Sequence, residues 1–240
     1  MTMSDLTNAW RWNPEMAARL RFPFEGAAAI AENYSQAWQD IFVLSLLGGR
    51  RDGRYLEIGG HLPVENNNSY LLHRFYGWQG MTLEIDPAHF PHWLRQRPDS
   101  GLVIADALFV DYADAIPRWF GAGTKRLDYL QLDIEPSLNT LKVLQKMPLD
   151  ACRFSVIHFE TDAYTRDFAA RNESRKILKA RGYELVARDV CVLYPPVSAT
   201  PVPFEDWWVD PTVVDKSRID EMLRIRDSVL LPQNILFRSA

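Results

Sequence analysis

The stretch Tyr55–Leu72 reads YLEIGGHLPVENNNSYLL. It begins as an apolar run suited to a buried strand and breaks at Gly59-Gly60. A loop built to cradle phosphates would repeat glycine at G-x-G-x-x-G spacing. Here the next positions hold His61, Leu62, Pro63, Glu65 and the asparagines Asn66 to Asn68. Pro63 has no N–H to give a phosphate. The segment is a strand-to-helix turn whose ligand does not need a glycine-rich cradle.

Short apolar runs and helical patterns alternate on either side. Strands are expected at 55–58, 81–85, 102–105, 127–132, 154–159 and 183–190, and helices at 69–76, 90–96, 113–120, 138–147 and 165–181. Several of the strands are apolar on both faces, as strands of a helix-covered parallel sheet must be. Upstream, 35–47 carries Trp38, Ile41, Phe42, Ser45 and Leu46 at helical spacing, with Ser35 as N-cap and Gly48-Gly49 as the stop. The expected fold is α/β: a Rossmann-like, doubly wound, mostly parallel sheet of about seven strands with helices on both faces. One domain is expected over 1–240, with an N-terminal helical segment (1–50), a core (51–190) and a C-terminal strand and helix (191–240).

In that C-terminal part, FEDWWV (204–209) reads as an antiparallel strand at the edge or middle of the sheet. A strand sends Trp207 and Trp208 to opposite faces, so one is expected in the core and the other exposed. An exposed tryptophan there would wall an acceptor site. Residues 215–230 read as an amphipathic helix, with Ile219, Met222, Leu223 and the Ile225/Arg226 pair marking its apolar border. Trp10 and Trp12 near the start of the chain read as packing residues.

Net charge is −4, without the basic footprint that a nucleic acid backbone requires. Cys152 and Cys191 fit no zinc or CxxC spacing and are expected as reduced, buried thiols of a cytoplasmic protein. The first residues lack a basic flank followed by an apolar stretch, and no run approaches a membrane span. Oligomeric state is not legible.

Ligands of open α/β sheets bind beyond the carboxyl ends of the strands. Each of the first five strand ends carries acid: Glu57, then Glu84 and Asp86, then Asp106, then Asp133 and Glu135, then Glu160 and Asp162. Such a rim repels a pyrophosphate. It suits S-adenosylmethionine, a cation-bearing adenosine without phosphate. An acid at the second strand end can hold both ribose hydroxyls, and one after the third can accept from the adenine amine. An acid in the first strand can sit near the ammonium.

The order SQAWQDIFVLSLLGG, GRYLEIGGHLPVENNNSYLL, GWQGMTLEID, YLQLDIEP and GYEL resembles the FkbM-type S-adenosylmethionine-dependent methyltransferases, over roughly 34–190. That family runs Ser-Gln-x-x-Gln-Asp, Glu-Ile-Gly, Ser/Asn-Asn-Thr-Tyr-Leu-Leu, a Glu-bearing strand and Asp-x-Glu-Gly. This chain departs from it at Leu62-Pro63, where the family has Asp-Gly, and at Pro136, where it has Gly. The resemblance implies cofactor roles for Glu57, Gly59, Asn68, Ser69, Glu84 and Asp106, with Ile85 and Ala107 beside them. It also implies that Ser35, Gln36 and Gln39 belong to a segment closing over the cofactor. It further implies a hydroxyl acceptor on a sugar of a glycan or secondary metabolite.

A sugar hydroxyl needs a general base or a metal to lower its pKa. The expected catalytic residues are His158 as base and Asp133. Alternatively Asp133, Glu160 and Asp162 hold Mg2+ through oxygen ligands. His61 and Glu65 are candidates to face the acceptor. Two rival readings are an NAD-type nucleotide-binding protein on the same fold and a non-catalytic S-adenosylmethionine-binding module.

Overall fold

The computed structural model describes residues 11–194, 196–225 and 227–238; Trp10 and Arg226 lie outside them. Seven strands form one sheet: β1 (Arg54–Ile58), β2 (Gln79–Glu84), β3 (Gly101–Ile104), β4 (Arg126–Leu132), β5 (Arg153–Glu160), β6 (Glu184–Val192) and β7 (Val202–Val209), in the order β3-β2-β1-β4-β5-β7-β6. β1 to β5 pair in parallel. β7 inserts between β5 and β6, antiparallel to both. This is the doubly wound arrangement expected from the sequence, with the topological switch between β1 and β4.

Eight helices flank the sheet among the described residues: α1 (Gln39–Leu46), α2 (Tyr70–Tyr76), α3 (Phe90–Gln96), α4 (Tyr112–Phe120), α5 (Ser137–Lys146), α6 (Ala169–Ala180), α7 (Lys216–Met222) and α8 (Pro232–Leu236). One buried cluster packs α1, α2, α7 and α8 on one face, and a second packs α4, α5 and α6 on the other. Among the described residues no helix is long and apolar enough to cross a membrane. Cys152 and Cys191 are free and buried.

Three local expectations are corrected. The first helix does not start at Ser35. Trp38 takes a left-handed conformation (φ 60°), which interrupts the helical run, and all eight residues of α1 are buried. Ser35 instead donates from Oγ to Asp40 Oδ1 (2.6 Å), while Asp40 Oδ2 accepts from the Tyr34 and Ser35 amides. The C-terminal helix stops at Met222; Ile219 and Met222 are buried but Leu223 is 39% exposed, and a separate helix, α8, follows. Finally, Trp207 and Trp208 are both fully buried. They do point to opposite faces, one into each cluster. Because β7 lies inside the sheet, both faces at that point are covered.

The register places Thr82, Glu57, Gln131, His158 and Trp207 side by side across five strands. Period-two alternation puts this polar row on the α1 face, one layer beneath the carboxyl edge.

Candidate functional site

A cavity of about 490 Å3 opens at the carboxyl edge of β1 to β4. Gln36, Glu57, Gly59, Asn68, Glu84, Ile85, Asp106 and Ala107 line it, as do Asp133, His61 and Glu135. Ser69 does not: it is fully buried beneath the turn, with its Oγ on Glu57. Glu65 is exposed and lies outside this lining. A larger hollow, about 720 Å3, sits at the opposite, amino ends of β1 to β3, and none of the expected site residues borders it.

The turn after β1 is shaped by close approach. Gly59 has φ 89°, and a β-carbon on Gly60 would meet the Thr82 methyl at 2.2 Å. Both glycine amides donate to the Leu83 carbonyl (3.0 Å each), which fastens the turn to β2. Glu84, at the end of β2, accepts from the His61 amide on Oε2 (2.6 Å) and from the Asp86 amide on Oε1 (2.8 Å). Asp106 accepts the Leu108 amide (2.8 Å) and so starts the short turn Ala107–Phe109. These bonds fix each carboxylate in place while leaving lone pairs for a ligand.

Glu57 is 1% exposed, and its Oε2 accepts from Ser69 Oγ (2.8 Å), Thr82 Oγ1 (2.9 Å) and Asn67 Nδ2 (3.3 Å). Asn67 also donates to the Gly60 and Leu62 carbonyls, 3.2 Å each. The sequence reading passed over Asn67, because three adjacent asparagines give no sign of which one turns inward. Arg97 was missed as well; the residue is 2% exposed, and its guanidinium meets Asn67, Ser69 and Tyr55 from below. Asn68, 8% exposed, presents a buried Oδ1 without a hydrogen-bond partner among the described residues. An orphaned acceptor on a cavity wall is what a donor-bearing ligand would satisfy.

At and beyond the carboxyl ends of β4 and β5 lie Asp133, Glu135, Glu160 and Asp162. Burial raises the Asp133 carboxyl, while a hydrogen bond from Glu160 opposes the rise. Burial and the Asp133 charge push Glu160 well above the carboxylate range. The two carboxyls titrate as a pair, and burial together with their mutual repulsion favours retention of a proton between them, more strongly at Glu160. Ligand atoms of Glu135, Glu160 and Asp162 all lie within 4.8 Å of one another, so Glu135 stands in this group where Asp133 was expected. Asp162 is held by the Ser137 amide (3.1 Å to Oδ2), and its Oδ1 is buried without a partner among the described residues. Tyr164 and Tyr194 meet edge to face here, ring centroids 5.8 Å apart.

His158 is not at this edge. It is fully buried in the polar row, stacked on Trp207 (4.9 Å) and 5.5 Å from the Phe42 ring. Its Nδ1 lies 3.0 Å from Tyr129 Oη, and burial drives its pKa well below the usual value. The strand's alternation turns it toward α1 rather than upward. It is a core histidine, and the sequence expectation of a base there is corrected.

No family model matches the chain, and no curated protein matches it. Solved structures are similar in fold. Protein 1320 of Thermoplasma acidophilum is 15% identical at a TM-score of 0.47, covering 88% of this chain and 98% of that one. A TehB-like SAM-dependent methyltransferase from Corynebacterium glutamicum is 13% identical at 0.42, over 77% and 92%. Aeropyrum pernix fibrillarin, solved with natively bound S-adenosyl-L-methionine, is 14% identical at 0.41, over 67% of each chain.

Proposed function

We propose that this protein is an S-adenosylmethionine-dependent O-methyltransferase of the FkbM type, acting on a sugar hydroxyl of a glycan or secondary metabolite. One observation carries the reading. Carboxylates from the ends of β1, β2, β3 and β4 converge on a single cavity that, among the described residues, no lysine or arginine lines. That set of acceptors fits a cationic adenosine and disfavours a pyrophosphate. The orphaned Asn68 Oδ1 on the same wall adds an acceptor for an ammonium.

When bound, the cofactor supplies an electrophilic methyl group. Glu84 would hold the ribose hydroxyls, Asp106 the adenine amine, and Glu57 with Asn68 the amino-acid end, under Gln36. With His158 in the core, Asp133 takes the acceptor's proton. Glu160 keeps its own proton and orients the Asp133 carboxylate. The Tyr164–Tyr194 pair beside Asp162 offers an aromatic face to a sugar. The acidic surroundings favour a neutral acceptor over a phosphate backbone.

A second reading concerns the metal. Glu135, Glu160 and Asp162 form an all-oxygen set of the kind Mg2+ prefers. A cation there would polarise the acceptor hydroxyl in place of a carboxylate base.

The test is calorimetric titration with S-adenosylhomocysteine, in Mg2+ and in EDTA, followed by labelled-methyl transfer to panels of sugars, amines and RNA. Micromolar binding and transfer to a sugar hydroxyl are expected. No binding in either condition overturns the methyltransferase reading. Transfer confined to amines or RNA overturns the acceptor.

A further inference from the structure

We propose that Arg97 is a positioning residue that locks Glu57 as an ionised acceptor facing the cavity, and thereby sets the site's preference for a ligand with a positive charge at that end. The inference rests on the cofactor reading above and assigns a role to a residue that does not line the cavity.

Arg97 follows α3 and turns its side chain inward, 2% exposed, with the guanidinium 4.7 Å from the Trp93 ring. Nη1 donates to Asn67 Oδ1 (2.9 Å), Ser69 Oγ (3.2 Å) and the Pro63 carbonyl (3.2 Å). Nη2 donates to Tyr55 Oη (2.6 Å) and to the same Ser69 Oγ (3.2 Å). A guanidinium can only donate. It therefore imposes a direction on both groups that stand between it and Glu57. The Asn67 amide must turn its oxygen to Arg97, which leaves its NH2 for Glu57. Ser69 Oγ accepts twice from Arg97, so its one proton points away, and Glu57 Oε2 at 2.8 Å is nearer than Asn67 Oδ1 at 3.1 Å.

The consequence lies in the Glu57 carboxyl. Three donors converge on Oε2, and two of them, Asn67 Nδ2 and Ser69 Oγ, cannot accept a proton back while Arg97 is in place. Donors fixed in this direction bind a carboxylate more strongly than a neutral carboxyl, so they favour the ionised form. Burial raises the Glu57 carboxyl above its ordinary range, and the Arg97 charge is the foremost influence opposing that rise. Without Arg97 the asparagine and serine are free to reverse, and a neutral Glu57 becomes acceptable. A structural clamp on the turn would hold its shape. This arrangement holds its charge as well.

The experiment compares two probes by equilibrium binding. S-adenosylhomocysteine carries an ammonium; 5′-methylthioadenosine shares the adenosine and thioether but has none. The native protein should prefer the former. In Arg97→Met that preference should fall about tenfold or more, the loss of one charge-assisted hydrogen bond, and Arg97→Lys should restore part of it. Equal weakening of both probes in Arg97→Met would mean a clamp only and would overturn the proposal. If Arg97→Met does not fold, Glu57→Gln decides: it should lose the same preference, and an unchanged preference overturns the proposal. Failure of the native protein to bind either probe would instead remove the cofactor reading itself.

Discussion

A β-carbon on Gly59 would stand 1.7 Å from the carbonyl oxygen of Asp133. The turn after β1 and the end of β4 are thus in backbone contact at the point where the strand order reverses. No side chain can relax to relieve such an overlap. Gly59→Ala should destabilise the fold by about 2 kcal/mol or more, from strain at positive φ plus the clash. It should also abolish S-adenosylhomocysteine binding. Denaturant melts and calorimetry check both.

Asp133 is assigned the acceptor's proton. Asp133→Asn should lower kcat by roughly 100-fold or more, the usual worth of a positioned base, with S-adenosylhomocysteine affinity little changed. Steady-state kinetics on the identified acceptor checks this, and a variant with near-native kcat would remove the assignment.

His158 is assigned no chemistry. His158→Gln should keep kcat near native while costing about 1–3 kcal/mol of stability, because the Tyr129 contact and the stack on Trp207 are disturbed. A collapse of kcat in a folded variant would restore the histidine as a base.

Glu205 sits under the same edge, 1% exposed, receiving Gln131 Nε2 (2.9 Å), Gln39 Nε2 (3.3 Å) and Trp207 Nε1 (2.5 Å). Burial raises its pKa from 4.5 to about 8. The folded protein therefore binds more protons than the unfolded chain between those values, so stability falls as pH rises through the window. The fall should be about 2 kcal/mol between about pH 6 and pH 8. Urea melts across that range should show a flatter dependence in Glu205→Gln, and parallel slopes would refute the assignment.

For the metal reading, Glu135→Gln should weaken Mn2+ binding about tenfold or more, since a hard cation loses one charged oxygen ligand. Affinity for S-adenosylhomocysteine should move less. Paramagnetic resonance titration of Mn2+ reads the first, and the absence of Mn2+ binding to the native protein would retire the reading.

The strands were legible because burial on both faces leaves continuous apolar runs, and the acids were legible because strand ends fall where those runs stop. What stayed hidden depends on contacts distant in sequence. Arg97 follows a short helix, and nothing in its sequence neighbourhood marks it for burial; only the turn after β1, brought over it, makes it an interior cation. His158 has the composition of a base, but its direction is set by strand register. The burial of Trp208 required knowing that β7 enters the sheet between β5 and β6 rather than at its rim. Ser35 has an N-cap's chemistry, and the left-handed Trp38 moved the helix start beyond its reach.

That insertion of β7 also decides what the molecule shows to other chains. The sheet's outermost strands are β3 and β6. β3 is four residues long, too short to template much of a ladder. β6 is irregular, with register shifts between Leu185 and Cys191, and its outer side is partly taken by the chain itself, where the Cys191 amide donates to the Leu230 carbonyl (2.8 Å). The strand richest in tryptophan, which would be the most adhesive margin of the sheet, has a neighbour on each side. Growth of the sheet by edge-to-edge strand addition is disfavoured at both ends.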